Sequence, residues 1–83
     1  MMEVWIRDSE SCALLYRVHE EERTMFKEFA FDFYQHSPLG WVRIGKTYTS
    51  SNKKIAIEKL SRMGYRKDLN QKDLYPVGDL LSL

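Results

Sequence analysis

The sequence is poor in cysteine and in residues that break secondary structure. Its 83 residues include one cysteine, Cys12, with four glycines and two prolines. A single cysteine cannot form a disulfide within the chain, so the fold does not depend on an oxidising compartment. The apolar runs are far shorter than the roughly 20 residues of a transmembrane helix. The first residues, MMEVWIRDSES, also lack the regions of a signal peptide. We therefore expect a cytoplasmic protein without a membrane partner.

Residues that carry catalysis or bind metals are scarce as well. Cys12, His19 and His36 are the only cysteine and histidines of the chain, and they are too far apart for the short spacings of metal ligands. No strained turn or glycine-rich segment frames a Ser, His and Asp set that could act in nucleophilic catalysis. We predict that the chain is not an enzyme and that it has no cofactor and no metal site.

One stretch matches a nucleotide-binding motif in its letters. Residues 40–47, GWVRIGKT, fit the pattern G-x-x-x-x-G-K-[ST], in which backbone N–H groups and a lysine hold phosphates. A true loop of this kind joins a buried strand directly to a helix. Here the four intervening residues are bulky and strand-forming, and the next predicted helix begins several residues later. We therefore predict a strand that binds no nucleotide.

The chain is rich in aromatic residues for its size. It has two Trp, five Tyr and four Phe, and 43% of its residues are apolar. A chain this short buries only about 60% of the surface it exposes when unfolded, so the core is small. We expect one α+β domain over residues 1–83, with residues 68–83 as an apolar C-terminal tail. An aromatic side chain in excess of the core would mark a contact surface.

Most of the secondary structure follows from simple patterns. Alternation over Glu3–Arg7 predicts a strand, which forms a β-hairpin with a second predicted strand over Cys12–Val18. Alternation over Trp41–Thr49 predicts a further strand. An apolar stripe predicts a helix over Lys53–Met63, with Gly64 as its C-terminal cap. The candidate N-cap residues of this helix are Ser50, Ser51 and Asn52.

Residues 20–36 fit two interpretations. The apolar residues Phe26, Phe29, Ala30, Phe33 and Tyr34 recur with the spacing of one helix face. Phe29, Phe31 and Phe33 also alternate as in a strand, but no Gly, Pro or Asn precedes them to make a turn. We favour the helix, in which Phe31 lies off the stripe and could cover the sheet rim or face a partner. The predicted fold is a mainly antiparallel three-strand sheet with two helices. The alternative is a four-strand meander with one helix.

Charge is divided unevenly along the chain. Residues 1–38 carry four basic and eight acidic side chains, a net charge of −4, whereas residues 39–73 carry nine basic and three acidic ones, a net charge of +6. Such asymmetry indicates a charged partner. The predicted partner-binding residues form a basic face with an aromatic member: Trp41, Arg43, Lys46, Lys53, Lys54, Lys59, Arg62 and Arg66.

These features favour a non-enzymatic protein-binding module, an inhibitor or adaptor of phage or mobile-element type, which docks on a protein partner through the basic face. The alternative is a nucleic-acid-binding protein that uses the same strand–helix surface to neutralise phosphates and stack bases. The opposite charges of the two halves also suggest a homo-oligomer, in which one copy recognises another.

Overall fold

The computed structural model describes residues 2–69, which form a small α+β structure. The elements in chain order are β1 (Met2–Asp8), β2 (Ser11–Arg17), a 3₁₀ turn (Glu20–Glu22), β3 (Phe29–Ser37), β4 (Gly40–Ser50), α1 (Lys53–Arg62) and β5 (Arg66–Lys67). The five strands within residues 2–69 form one antiparallel sheet in the order β4-β3-β2-β1-β5. The predicted α+β class is confirmed. No helix of the described residues is long and apolar enough to cross a membrane.

The numbers of strands and helices differ from our favoured prediction. Within residues 2–69 there are five strands and one α-helix, not three strands and two helices. The helix predicted over residues 20–36 is wrong, because a 3₁₀ turn and β3 occupy this stretch. Strands β1 to β4 run as the meander of our alternative interpretation, with α1 as its helix. The short strand β5, which pairs with β1 through Trp5 and Ile6, was not predicted.

Strand β3 was missed because both of its faces are buried. Phe31 and Phe33 point to the side of the sheet that α1 covers, and Ala30 and Tyr34 lie on the other side. A strand buried on both faces has an almost continuous apolar sequence, and this sequence can also match the spacing of a helix. Phe31 is 1% exposed and among the largest fully buried side chains, so it neither covers the sheet rim nor faces a partner.

The helix packs on one face of the sheet, here called the helix face. Ala56 and Leu60 of α1 meet sheet residues that include Leu15, Phe31 and Phe33. The helix begins after Asn52, whose side chain accepts a hydrogen bond of 2.9 Å from the Ile55 N–H, as predicted for an N-cap. Its C-terminal end is followed by Gly64, which adopts a φ of +90° that favours glycine.

The opposite side of the sheet, here called the far face, has its own apolar cluster. Val4, Cys12, Leu14, Tyr34 and Trp41 are buried there together. Asp68 follows β5, and its N–H donates a hydrogen bond of 2.9 Å to the Val4 carbonyl. Of the tail predicted over residues 68–83, residues 70–83 lie outside the described residues.

Strand β4 lies at one edge of the sheet and is interrupted by a bulge. Ile44 pairs with Phe33 and Tyr48 pairs with Phe31, so three residues of β4 stand opposite Asp32 alone. Gly45 begins the bulge with a φ of +68°, a value that glycine adopts without strain. The bulge divides β4 into two pairing segments, Gly40–Ile44 and Tyr48–Ser50. The prediction that GWVRIGKT lies in a strand is confirmed.

Candidate functional site on the outer strand

The predicted basic residues do not form one surface. Arg43 pairs with Tyr34, a residue of the far face. The cations of α1, which packs on the helix face, lie across the sheet from it: Lys53, Lys54, Lys59 and Arg62. Arg66 pairs with Ile6 at the other edge of the sheet. The structure therefore places four of the predicted cations on α1 and separates them from Arg43 and Arg66.

One of the helix cations has a structural role. The Lys53 Nζ lies 2.7 Å from Glu3 Oε2, and the Lys67 Nζ lies 3.4 Å from the same oxygen. Burial by itself would raise the pKa of Glu3, but hydrogen bonds from Lys53 and Trp5 and the charges of Lys53 and Lys67 hold this pKa below its ordinary value. Lys53 thus ties the start of α1 to β1, and little of its charge remains for a partner.

Trp41 is buried, although we predicted it as a contact residue. Its ring lies on the far face, as its alternation with Val42 indicates, and meets the His36 ring edge-on with 5.1 Å between centroids. With 8% of its surface exposed, Trp41 offers a partner little area. The sequence pattern showed which face the ring points to but not how deeply that face is buried.

A polar network on the far face joins β4 to its neighbours. The Tyr16 hydroxyl donates a hydrogen bond of 2.9 Å to Asp32 Oδ2, and the Thr47 hydroxyl donates to Asp32 Oδ1. Arg43 Nη2 donates to Thr47 Oγ1 at 2.8 Å, and Arg43 Nε lies 3.7 Å from Asp32 Oδ1. The network spans the bulge and holds the Arg43 side chain against β4. About half of this side chain is exposed.

The phenol of this network and the nearby thiol of the far face are held in their protonated forms. Burial and the hydrogen bond to Asp32 raise the pKa of Tyr16 to about 12, so the phenol keeps its proton and cannot act as a base or nucleophile near neutral pH. The buried thiol of Cys12 is inert for a similar reason, since burial and the nearby Asp68 raise its pKa to about 12. Within residues 2–69 no group of three His, Cys, Asp or Glu side chains could hold a metal ion.

A cavity of about 380 Å³ lies beside the network, where the connection between β2 and β3 passes over the far face. Its polar lining includes Tyr16, His19, Glu22, Lys27, Thr47 and Thr49. The hydroxyls of Tyr16 and Thr47 already donate to Asp32. The remaining groups are of mixed charge and define no single ligand chemistry, so this cavity is not our candidate site.

The best candidate surface is the outer strand itself. On the helix face of β4, Val42, Ile44 and Tyr48 are 47%, 44% and 39% exposed and form an apolar patch, here called the β4 patch. Lys46 lies over the Tyr48 ring, 5.5 Å from its centroid. Strand β4 carries Arg43 and Lys46 but no acidic residue. Among the described residues β3 alone pairs with β4, so the outward-facing backbone groups have no strand partner within residues 2–69.

The alternation of Val42, Ile44 and Tyr48 was visible in the sequence, but their exposure was not. Once β3 is recognised as a strand, a meander places β4 at the edge, and α1 then leaves part of its helix face open. The failure to recognise β3 therefore hid the β4 patch. A second exposed apolar feature, the turn at Met25 and Phe26, was hidden because Phe26 was assigned to a helix stripe.

Comparisons with known proteins give no relative: no protein-family model, no curated protein and no solved structure matches this chain.

Proposed function

We propose that this protein is a small non-enzymatic protein-binding module that binds an extended segment of a partner along β4. The observation that carries this proposal is the exposed edge of an 11-residue strand, whose helix-face side chains Val42, Ile44 and Tyr48 are about half exposed. Strand addition uses free backbone N–H and C=O groups for affinity and alternate side-chain positions for specificity. Within residues 2–69, strand β4 offers both.

The docking segment is Gly40–Ile44. The bulge around Gly45 interrupts the regular backbone spacing, and bulges blunt an edge against unselective pairing. Before the bulge, Val42 and Ile44 point to the helix face and Arg43 points to the far face. A partner strand laid here would place its apolar side chains against Val42 and Ile44, and its opposite-facing side chains beside Arg43.

The charge of the edge favours an acidic partner. If two copies paired β4 with β4, the Arg43 and Lys46 side chains of both would share one seam without a single acidic residue from either strand. Like charges opposed across strands are destabilising. We therefore place an extended segment that alternates apolar and acidic residues on this strand. We also place the protein in the cytoplasm, where the thiol of Cys12 stays reduced.

The nucleic-acid alternative has less support. The predicted phosphate-binding cations are divided between the two faces and both edges of the sheet, and Lys53 is paired with Glu3. Single-strand binding also uses aromatic rings for stacking, and Trp41, the aromatic residue of the predicted basic face, is buried. An oligonucleotide nevertheless belongs in the test as a competing ligand.

The experiment measures binding by calorimetry to three probes: a short peptide alternating valine and glutamate, its valine–lysine counterpart, and single-stranded oligothymidine. We expect binding of the glutamate peptide alone. Val42→Ser combined with Ile44→Ser should weaken it about tenfold or more, as expected when apolar anchors are lost. The matched control is Ile55→Ser, a 36% exposed isoleucine on α1, which should leave binding unchanged.

Two results would contradict the proposal. One is equal binding of the glutamate peptide by wild type and the Val42→Ser, Ile44→Ser variant, with both folded. The other is preferential binding of oligothymidine with a steep salt dependence, about −0.7 in the log–log slope per phosphate contacted, which would favour the nucleic-acid alternative.

A further inference from the structure

The end of the molecule opposite the docking segment carries an exposed apolar turn. Met25 and Phe26 are 79% and 76% exposed. They form the tip of a two-residue turn that is closed by backbone hydrogen bonds between Thr24 and Lys27 of 3.1 and 3.2 Å. Two large apolar side chains side by side at a tip form a larger apolar projection than a single exposed residue, and contiguous exposed apolar surface marks contact sites.

The connection that carries this turn is fixed to the sheet. Arg23 Nε donates a hydrogen bond of 2.7 Å to the Val18 carbonyl, and the Val18 N–H donates one of 2.8 Å to the Glu28 carbonyl. The Glu28 N–H in turn donates to the Ser50 carbonyl at 2.9 Å. These bonds hold both ends of the connection, so a partner that binds the tip pays little ordering entropy.

Acidic residues lie beside the Met25–Phe26 turn. Glu20, Glu21 and Glu22 form the exposed 3₁₀ turn just before it, and none of the three forms an ion pair with another residue of the range 2–69. Segment 19–28 carries four glutamates against Arg23 and Lys27, and Arg17 lies 2.9 Å from one of them, Glu28, which leaves a net charge of −1. This charge opposes an anionic lipid surface and favours a cationic partner.

We infer that the Met25–Phe26 turn of one copy docks on the β4 patch of a second copy, with Glu20–Glu22 facing Lys46, which lies over the Tyr48 ring of the patch. This inference goes beyond the proposed function, since the turn packs on side chains of the β4 patch and adds no strand to the sheet. The two surfaces complement each other: the turn is apolar and flanked by glutamates, and the β4 patch is apolar and flanked by Lys46. Association through them is head to tail, so it builds chains instead of closed pairs.

The Met25–Phe26 turn and the docking segment of one copy lie far apart. The register pairs Phe29 with Ser50 at one end of the β3–β4 ladder and Ser37 with Gly40 at the other. The Met25–Phe26 turn precedes Phe29, and the docking segment begins at Gly40, so they lie at opposite ends of the ladder. The contact between copies involves few residues on each side, and small interfaces of this kind are weak and transient.

Sedimentation velocity over a range of protein concentrations tests the inference. Wild type should sediment faster as concentration rises in about 0.01 M salt, and should stay monomeric in about 1 M salt, because the Debye length falls from about 30 Å to about 3 Å. Met25→Ser with Phe26→Ser forms the turn variant, and Val42→Ser with Lys46→Glu forms the strand variant. Each alone should remain monomeric at low salt.

A mixture of the two variants gives the sharpest result. The turn variant keeps an intact strand surface and the strand variant keeps an intact turn, so an equimolar mixture should form dimers and nothing larger. Circular dichroism confirms that both variants are folded. A mixture that stays monomeric, or variants that associate as wild type does, would overturn the inference.

The failure of this inference and that of the proposed function are distinguishable. If the turn variant still associates or wild type never does, but the valine–glutamate peptide still binds β4, the self-docking inference is wrong and the proposed function stands. Binding of anionic phosphatidylserine vesicles that is lost in the turn variant would assign the turn to a membrane instead and would also overturn the inference.

Discussion

Strands β3 and β4 pair along most of their length, but they differ sharply in burial. Residues 30–34 of β3 are all buried, whereas residues 42–46 of β4 are all exposed. Both strands carry bulky apolar residues on the helix face, Phe31 and Phe33 on one and Val42 and Ile44 on the other. The difference comes from position, because β3 has a strand on each side and β4 has one within the described residues.

The contrast separates residues that stabilise the fold from residues available to a partner. A buried apolar side chain contributes to folding through the area it removes from water. A half-exposed one contributes less and keeps area that a partner can bury. Substitutions on β3 should therefore change stability, and substitutions on the docking segment of β4 should change binding.

The largest expected effect is the loss of Phe31 from β3. Phe31→Ala should lower the free energy of unfolding by about 3–5 kcal/mol, because it removes a fully buried ring and leaves a cavity. Phe26→Ala is the matched control: it removes the same side chain at a position 76% exposed and should change stability by less than about 0.5 kcal/mol. Urea denaturation measures the free energy of unfolding of both variants. Equal losses would contradict the distinction between buried residues that stabilise the fold and exposed residues that do not.

A smaller effect is expected where the two strands are joined by the polar network. Asp32→Asn removes the negative charge of a carboxylate that accepts hydrogen bonds from Tyr16 and Thr47 and that lies near Arg43. We expect a loss of about 1–3 kcal/mol, the range for breaking a buried polar contact. The same substitution at Asp8, an exposed carboxylate, is the control. A stable Asp32→Asn variant would show that the network does not hold β4 in place.

The smallest effect distinguishes two neighbouring cations of α1. Lys53→Ala should cost about 1 kcal/mol, a value reduced from that of a buried charged hydrogen bond because 40% of the Lys53 side chain is exposed. Lys54→Ala, at an exposed position without this partner, should cost little. Thermal denaturation of both variants measures the difference.

The Lys53 effect should depend on pH. The pKa of Glu3 in the fold is below its ordinary value of 4.5. The stability from this pairing is therefore present above about pH 4.5 and is lost as the pH falls through the lowered pKa. Wild type and Lys53→Ala should converge in stability at pH values below the lowered pKa of Glu3. A stability difference between the two proteins that stays constant below this pKa would assign the Lys53 effect to packing.

Several elements could be predicted because local patterns determine them. The β1–β2 hairpin has a polar turn between an alternating strand and an apolar strand, and α1 has an N-cap at Asn52 and a terminal glycine at Gly64. Strand β4 alternates because its two sides face different surroundings. In each case the signal lies within a few residues and needs no knowledge of neighbouring strands.

The rest depends on tertiary context. Strand β3 is buried on both faces, so its apolar residues also match the spacing of a helix face and the alternation of Phe29, Phe31 and Phe33 does not decide between the two. The connection before it is held by the Arg23 side chain and a 3₁₀ turn instead of the glycine or proline of a common turn. The basic residues looked continuous because they are close in sequence, but alternation along β4 and the position of α1 place them on opposite faces.

Amide hydrogen exchange along β4, with and without the valine–glutamate peptide, tests the central claim most directly. An added strand should bond to the outward-facing N–H groups, so exchange should slow at alternate residues within Gly40–Ile44 and stay unchanged beyond the bulge. Unchanged exchange across Gly40–Ile44 at saturating peptide, or new protection confined to α1, would contradict the claim that β4 is the docking strand.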